Sequence, residues 1–442
     1  MNFNTICVLG LGYIGLPTAS TFAIHGLKVL GVDINPRVVE TLQRGEIHIH
    51  EPGLRDVLTR AIRSGNFTFS TTPEPADVFL IAVPTPFQEN KQGEYNGQKF
   101  KLADMRAVTS ATEAILPYLR KGNLVVLEST SPPRTTRDLV VPILERSGLK
   151  AGIDFFVCYS PERVLPGQIM RELIDNDRII GGITPESARA GRDLYATFVK
   201  GRIIETDATT AEMVKIMENT TRDVNIAIAN EFSRLAEKFG VDVWEAIRLA
   251  NLHPRINILS PGPGVGGHCI SVDPWFFVEA APELTELILH ARRVNDAQPH
   301  FVVEKVKQAL GPLQQKKIAA LGLAYKPDVD DLRESPATKV VHLLQKEGAV
   351  VKCWEPFKPE ARMDGITMAT NLFAAIEDAD GILLLVKHTG FNDLNPDGIA
   401  SKTKCRVLID CVNSWDVKTW GEAGFVLHRL GVPNASPLPT NP

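Results

Sequence analysis

Thr5-Ile6-Cys7-Val8-Leu9-Gly10-Leu11-Gly12-Tyr13-Ile14-Gly15 decides the fold. An apolar run of strand length breaks into glycines spaced G-x-G-x-x-G and then into a helical pattern, as a dinucleotide-binding strand-turn-helix begins. Each glycine has its own task. Gly10 permits the turn, Gly12 lets backbone approach a pyrophosphate, and Gly15 allows the helix to pack tightly. Tyr13 and Ile14 lie at the opening of that helix, where amide hydrogens and the positive end of the dipole meet an anion. Asp33 closes the second strand; there it accepts from a ribose 2'-hydroxyl and repels a 2'-phosphate, so NAD is expected rather than NADP, with Arg37 nearby acting the other way. A lone G-x-G-x-x-G is weak evidence, but here strand, helix and acidic residue all stand where the motif requires them, against a glycine turn without a ligand.

The same rhythm continues outward. Residues 28–32, 78–83, 124–127 and 155–159 read as further strands between helical patterns, which means a parallel α/β sheet. Residues 211–239 form one long helical pattern without Gly or Pro, followed by helix at 243–250, a glycine-rich loop and helix at 282–295. Strands restart at 317–323, 349–354, 381–386 and 406–410, with Ser335-Pro336 as cap and first residue of a helix. The expected fold is α/β: two Rossmann-like doubly wound domains, at 1–207 and 313–442, joined by a central helical domain at 208–312 with a long connecting helix. The Pro-, Asn- and Ser-rich tail from Pro433 to Pro442 is expected to be loose.

Composition narrows the function. Among 442 residues, 48 Lys and Arg nearly balance 52 Asp and Glu with no long basic run, so no nucleic-acid footprint is present and a small-molecule partner is expected. The six cysteines are scattered without C-x-x-C, which suggests neither a disulfide framework nor a zinc site and fits a reducing cytoplasm. No apolar run reaches the roughly 18 residues of a membrane span, and the apolar start lacks the basic flank of a signal peptide. His48-Ile49-His50-Glu51 could suggest a metal, but short polar turns are commoner and no partner cluster appears, so no metal is expected.

Chemistry concentrates in the middle. Pro261-Gly262-Pro263-Gly264-Val265-Gly266-Gly267-His268-Cys269-Ile270-Ser271-Val272-Asp273 presents one thiol on a glycine loop, with a carboxylate four residues later to handle protons. Taken alone, the loop leaves a nucleophile and a buried, inert cysteine equally open. On the long helix Glu212, Lys215, Asn219 and Arg222 recur at helical spacing, either a solvated face or one wall of a pocket in which Lys215 is an acid or base and Asn219 helps hold an oxyanion. Val83-Pro84-Thr85-Pro86 and Glu128-Ser129-Thr130 each follow a buried strand at its ligand-binding end, which makes Thr85 and Thr130 candidate cofactor contacts; an isolated threonine is more often a turn or cap. Ser160-Pro161-Glu162-Arg163-Val164 adds a carboxylate and a phosphate-seeking arginine, and His253-Pro254-Arg255 adds positive charge ahead of the glycine loop.

These residues carry a resemblance that spans nearly the whole chain. The opening fingerprint, Glu128-Ser129-Thr130, Ser160-Pro161-Glu162-Arg163, the Lys215/Asn219 helix, the cysteine loop and Tyr325-Lys326-Pro327-Asp328-Val329-Asp330-Asp331-Leu332-Arg333-Glu334-Ser335-Pro336 together resemble the UDP-glucose/GDP-mannose dehydrogenase family. Arg134 departs from it, standing where a glycine is common after Ser-x-x-Pro. The resemblance implies an enzyme that takes a nucleotide-sugar C6 alcohol to a carboxylate in two NAD-dependent steps, for surface polysaccharide synthesis. It implies Cys269 as the nucleophile that forms a thiohemiacetal and then a thioester, Lys215 and Asn219 around the oxyanion, and Asp273, Glu162 and Thr130 ordering water. Lys215, a water held by it, and Asp273 are the candidate bases for the first oxidation.

The resemblance further gives the C-terminal domain the UDP end of the substrate. Substrate contacts are then expected from Arg163, Val164, Lys215, Asn219, Arg222, His253, Arg255, Gly266, Tyr325 and Lys326, with Arg333 reaching NAD; from composition alone the 325–335 segment reads as a solvated loop. Gly-Gly-His-Cys-Ile followed by Val-Asp-Pro-Trp-Phe resembles the N-acetylhexosamine branch, so UDP-N-acetylmannosamine is the expected sugar, then UDP-N-acetylglucosamine, then UDP-glucose. A cytoplasmic homodimer through the central helical block is implied. The remaining alternatives are a two-electron hydroxyacid dehydrogenase, which Cys269 speaks against, and a non-catalytic NAD-sensing protein.

Overall fold

The computed structural model describes residues 3–267 and 269–433; the expectations for the tail beyond 433 and for His268 lie outside the described residues. The chain divides into two compact units, 1–218 with 275–284, and 219–274 with 285–442. Two of the three dividing lines fall inside helices, Ala208–Phe239 and Asp273–Ala280, and the third just ahead of helix Glu286–Leu310.

In the first unit β1 (Thr5–Leu9), β2 (Lys28–Val32), β3 (Phe67–Ser70) and β4 (Val78–Ile81) precede a hairpin of β5 (Phe87–Tyr95) and β6 (Gln98–Ala103). β7 (Leu124–Leu127), β8 (Phe156–Tyr159), β9 (Arg178–Gly182) and β10 (Ile203–Asp207) follow. The sheet order is β10-β9-β8-β7-β4-β1-β2-β3. From β3 to β8 every pair is parallel, and strand order reverses between β1 and β4, the switch point at which open α/β sheets hold ligands. The all-parallel expectation fails at one edge: β9 pairs antiparallel with β8, and β10 follows β9 in parallel. An antiparallel edge on an otherwise parallel sheet is a common form of doubly wound fold. Side chains of β1, β4 and β7 are buried on both faces, which is why these strands read as unbroken apolar runs.

The second unit carries a sheet of β11 (Lys317–Leu321), β12 (Val350–Trp354), β13 (Thr367–Met368), β14 (Gly381–Leu384), β15 (Val407–Asp410) and β16 (Val426–Arg429). Its order, β13-β12-β11-β14-β15-β16, is parallel throughout, so the same winding occurs twice in the chain. Ser335 caps helix Pro336–Lys346, and Pro336 opens it. Helix Glu286–Leu310 runs well past the expected end at 295, straight through Pro299. A proline inside a helix costs about 3 kcal/mol. Polar anchors on both sides of it tie this helix to Ala208–Phe239: Arg292 to Asp223, Asn295 to Asn230, Gln298 to Arg234, and Lys305 to Glu237 at 3.1 Å.

Both windings turn on a glycine after their first strand. Gly10 has φ +95°, and a Cβ there would lie 2.5 Å from the Ala82 carbonyl oxygen. Gly322 has φ +83°, and its Cβ would lie 2.6 Å from Cβ of Val386. Strain and collision therefore coincide. Gly322→Ala is expected to cost about 3 kcal/mol in a denaturant titration, whereas Gly421→Ala, with nothing within 4 Å of its Cβ position, leaves the midpoint unchanged or slightly higher.

Candidate active site

The glycine turn of the first unit is closely packed at Gly10 and Gly15 and open at Gly12. A Cβ on Gly15 would fall 1.9 Å from the Gly10 carbonyl oxygen, so helix Gly15–Ile24 can approach β1 only without a side chain there. Above Gly12 nothing lies within 4 Å. Ile14 caps the helix without a side-chain bond and no acidic residue stands in its first turn, which leaves its amides facing outward without competing charge. Asp33, at the end of β2, accepts from the Leu11 amide at 3.1 Å and the Asn35 amide at 2.9 Å, and Ile34 beside it is 92% exposed. Thr85 and Thr130 come together beyond the ends of the neighbouring strands β4 and β7: Thr85 Oγ1 donates to the Thr130 carbonyl at 2.7 Å. Ser129 Oγ donates to the Val83 carbonyl at 2.7 Å, which ties the same two segments.

Beneath Glu128-Ser129-Thr130 lies a buried ionic cluster that sequence reasoning missed. Arg178, 4% exposed, pairs with Glu162 and with Glu128, donates to Ser160 Oγ at 2.9 Å, and lies 4.3 Å from the centre of the Tyr195 ring. Tyr195 donates to Glu128 Oε1, while Glu128 Oε2 has no partner among the described residues. Burial pushes the Glu128 carboxyl up to about 7, with Arg178 opposing the rise and Glu162 adding to it. Glu162 accepts one bond on each oxygen, Oε2 from Arg178 and Oε1 from the Arg163 amide at 2.8 Å, and each oxygen keeps a further acceptor site. The Arg163 guanidinium in turn meets Glu218 at 2.9 Å and the Asp177 carbonyl. Val164 is partly buried against the apolar core of the first unit.

Arg134, the departure from the family pattern, has φ +74°, the left-handed region where a glycine costs nothing and other residues about 1–2 kcal/mol. Glu212 explains its tolerance. This buried carboxylate accepts from the Arg134 amide at 2.6 Å and from the amide and hydroxyl of Thr136, so it holds a turn and does not share a pocket face with Lys215. Lys215 itself is 8% exposed and makes no ion pair among the described residues. Arg222 is exposed. Glu51, in the His48-to-Glu51 run, caps the Gly167 and Ile169 amides, which accounts for that carboxylate without a metal.

In the second unit, three asparagines of helix Ala208–Phe239 grip the loop that carries the thiol. Asn219 donates to Asp273, Asn225 exchanges bonds with the Asn257 carbonyl and the Leu259 amide, and Asn230 accepts from the Gly262 amide at 2.9 Å. Cys269 is exposed, whereas the other five cysteines are buried. Burial pushes the Cys7 and Cys353 thiols up to about 12, so those two stay protonated. The carbonyl of Cys269 accepts from the Val272 and Asp273 amides, which sets the thiol one turn before helix Asp273–Ala280.

Glycine is required on this loop for a packing reason. A Cβ on Gly266 would lie 2.6 Å from the Glu334 carbonyl oxygen and 3.0 Å from Cβ of Tyr325; on Gly267, 2.8 Å from the Tyr325 ring. The thiol loop thus rests directly on the 325–336 loop. There the Lys326 ammonium lies 5.9 Å from the centre of the Tyr325 ring, and Arg333 is held by Asp331 at 2.6 Å. His253 and Arg255 lie together on an exposed turn, the Arg255 amide 3.4 Å from His253 Nδ1.

Family models cover the chain in three consecutive pieces: the NAD binding domain of the UDP-glucose/GDP-mannose dehydrogenase family at 4–199, its central domain at 209–297 and its UDP binding domain at 319–417. The chain belongs to that family. It is an NAD-dependent dehydrogenase. A UDP-N-acetyl-D-mannosamine dehydrogenase of Methanocaldococcus jannaschii is 48% identical over 96% of each chain. An NDP-N-acetyl-D-galactosaminuronic acid dehydrogenase of Ralstonia nicotianae is also 48% identical, over 95% of this chain and 98% of its own. The solved structure of a UDP-D-ManNAc dehydrogenase from Pyrococcus horikoshii superposes with a TM-score of 0.88 at 39% identity, covering 97% of this chain and 99% of that one. Among the described residues no helix is long and apolar enough to cross a membrane.

The Glu128 carboxyl gives this dehydrogenase a pH signature. Because its folded pKa, about 7, lies above the ordinary 4.5, the folded state holds the proton more tightly, and ionisation costs stability that is absent below 4.5 and full above 7. Glu128→Gln removes that ionisation. The melting temperature of the variant relative to the unsubstituted enzyme is expected to climb from about pH 4.5 to about 7 and to level off above it; a difference independent of pH would contradict it.

Proposed function

We propose that this dehydrogenase oxidises the C6 alcohol of UDP-N-acetyl-D-mannosamine to UDP-N-acetyl-D-mannosaminuronate, a four-electron reaction. The observation that carries this reading is the exposed Cys269 on a loop pinned by Asn219, Asn225 and Asn230 and packed on the Tyr325 loop. An acid-forming dehydrogenase needs such a thiol; a two-electron alcohol dehydrogenase does not. Relatives named for N-acetylated mannosamine support the sugar. Equal identity to the galactosaminuronic acid enzyme favours an N-acetylated galactosamine sugar as the second reading.

The open face of Gly12, the bare helix start after it and Asp33 fit NAD. The exposed side chain of Ile34 suits the face of its adenine ring. Bound NAD supplies the hydride acceptor for each of the two oxidations. Lys215, or a water it holds, takes the C6 hydroxyl proton in the first, with Asp273 as the other candidate. Cys269 Sγ then bonds the aldehyde carbon. Lys215 and Asn219 hold the oxyanion of that thiohemiacetal, and the second oxidation leaves a thioester. Water breaks the C–S bond to release carboxylate and thiol; Asp273, fixed by Asn219, and Glu162 with Thr130 order that water. Arg163, Val164, Arg222, His253, Arg255 and Gly266 belong to the sugar and phosphate contacts, Tyr325 and Lys326 to the uridine end, and Arg333 to NAD. The enzyme works in the cytoplasm, where its scattered thiols stay reduced, and its product feeds surface polysaccharide synthesis.

Ile228, Phe232, Leu235 and Phe239 stand exposed at the spacing of one face on the second-unit part of helix Ala208–Phe239. A second copy of this chain covers that stripe in a homodimer, because the identical stripe on its partner is self-complementary across a two-fold axis. Light scattering is expected to give twice the chain mass, and Phe232→Glu to give the monomer.

The chemistry is tested by NADH yield. With limiting UDP-N-acetylmannosamine the enzyme is expected to release two NADH per sugar, and Cys269→Ala to form no acid. Two NADH per sugar from the variant would overturn the thioester route. Turnover of UDP-glucose with none of the N-acetylated sugars would overturn the substrate.

A further inference from the structure

The two windings of this chain use the same carboxylate position differently. In the first unit Asp33 follows β2 and its Oδ2 accepts from Leu11, the residue after Gly10. In the second unit Glu355 follows β12 and its Oε2 accepts from Leu323, the residue after Gly322, at 2.7 Å, and from Ala324 at 3.0 Å. Asp33 is half-exposed, whereas Glu355 is fully buried. Where Asp33 keeps access to a ribose, Glu355 faces His388, also fully buried, 3.1 Å from its Nε2.

The proton on that imidazole can be placed. The Asp328 amide donates to His388 Nδ1 at 2.9 Å, so Nδ1 carries no proton and Nε2–H donates to Glu355. Asp328 has φ +59°, and its carboxylate accepts from the Thr389 amide at 2.9 Å and the Thr389 hydroxyl at 2.6 Å. Phe357 stacks on the imidazole with centroids 5.0 Å apart, and Phe391 meets it edge-on. The 322–336 loop is thus held at its start by Glu355, at its tip by His388 and Thr389, and at its end by Ser335, the cap of helix Pro336–Lys346. Between these points lie Tyr325, Lys326 and Arg333, and Tyr325 is the side chain on which Gly267 of the thiol loop rests.

We propose that His388 and Glu355 are positioning residues for nucleotide-sugar binding: a buried imidazole–carboxylate clamp that fixes the loop carrying Tyr325 and Lys326 without touching the substrate. The proposal rests on the reading of that loop as the uridine end. It also sets the second winding apart from the first. The carboxylate that would receive a ribose is spent on the loop and the histidine.

Full-length His388→Ala is expected to raise KM for the UDP-sugar by about tenfold, the effect of one lost buried hydrogen bond, with kcat and the KM for NAD within about threefold. His388→Asn, which restores an acceptor near Nδ1 for the Asp328 amide, is expected to recover most of that loss; a merely structural defect would move both substrates and would not respond to this amide. Hydrogen exchange of the ligand-free enzyme is expected to be faster at 325–331 in His388→Ala and close to normal in His388→Asn. Should His388→Ala fail to fold, Glu355→Gln, which keeps one acceptor oxygen, serves for both measurements. Unchanged exchange at 325–331 overturns the clamp. Faster exchange with an unchanged KM for the UDP-sugar overturns its link to substrate. If the unsubstituted enzyme turns over no UDP-sugar, the functional reading fails while the exchange result still decides the clamp.

Discussion

The second unit depends on an ion pair that is costly to bury. Asp223 on helix Ala208–Phe239 and Arg292 on helix Glu286–Leu310 are both almost wholly inside, and burial pushes the Asp223 carboxyl up even beside the guanidinium. Neither is fully satisfied among the described residues: Asp223 Oδ2 and Arg292 Nε lack partners there. Such a pair contributes little net stability compared with apolar residues of the same volume, but losing one partner costs about 3–5 kcal/mol. What it fixes is register. With Asn295 on Asn230, Gln298 on Arg234 and Lys305 on Glu237, a slip of one helical turn would unpair every member at once. The register so fixed sets the heights of Asn225 and Asn230, and hence where the loop leading to Cys269 is held.

How much was legible follows from how local each cause is. The tasks of Gly10, Gly12 and Gly15 could be read because strand, turn and helix are contiguous in sequence, and the structure shows collisions at Gly10 and Gly15 and open space at Gly12. The Ser335-Pro336 cap was legible for the same reason. The helical stripe was misread in part: periodicity gave the angular positions of Glu212 and Arg222, but not that Glu212 would be consumed by the Arg134 turn. Arg178 was not legible, since its partners Glu128 and Glu162 lie in the segments that follow other strands of the sheet and nothing in its own neighbourhood marks it. The available signal was indirect: Glu128 and Glu162 both follow buried strands, and two buried carboxylates need a cation between them.

The antiparallel edge at β9 and the helix through Pro299 were missed for a related reason. Local rules record what a segment prefers alone. Whether Pro299 ends a helix depends on Arg292, Asn295 and Lys305 finding partners more than fifty residues away, which no window over the segment contains.

The thiols show best how environment separates identical side chains. Cys7, Cys158, Cys353, Cys405 and Cys411 lie in the cores of the two sheets, where burial raises each thiol and keeps it neutral. Cys269 escapes that fate because Gly266 and Gly267 let the chain run against Tyr325 without side chains of their own, so the loop is filled from one side and Cys269 is left outside. The glycines therefore act twice: they permit the positive φ of Gly267 and they admit the neighbouring loop. A side chain at either position would push the thiol loop off the Tyr325 loop, so the glycines at 266 and 267 are a packing requirement of the two loops, whatever chemistry the thiol performs.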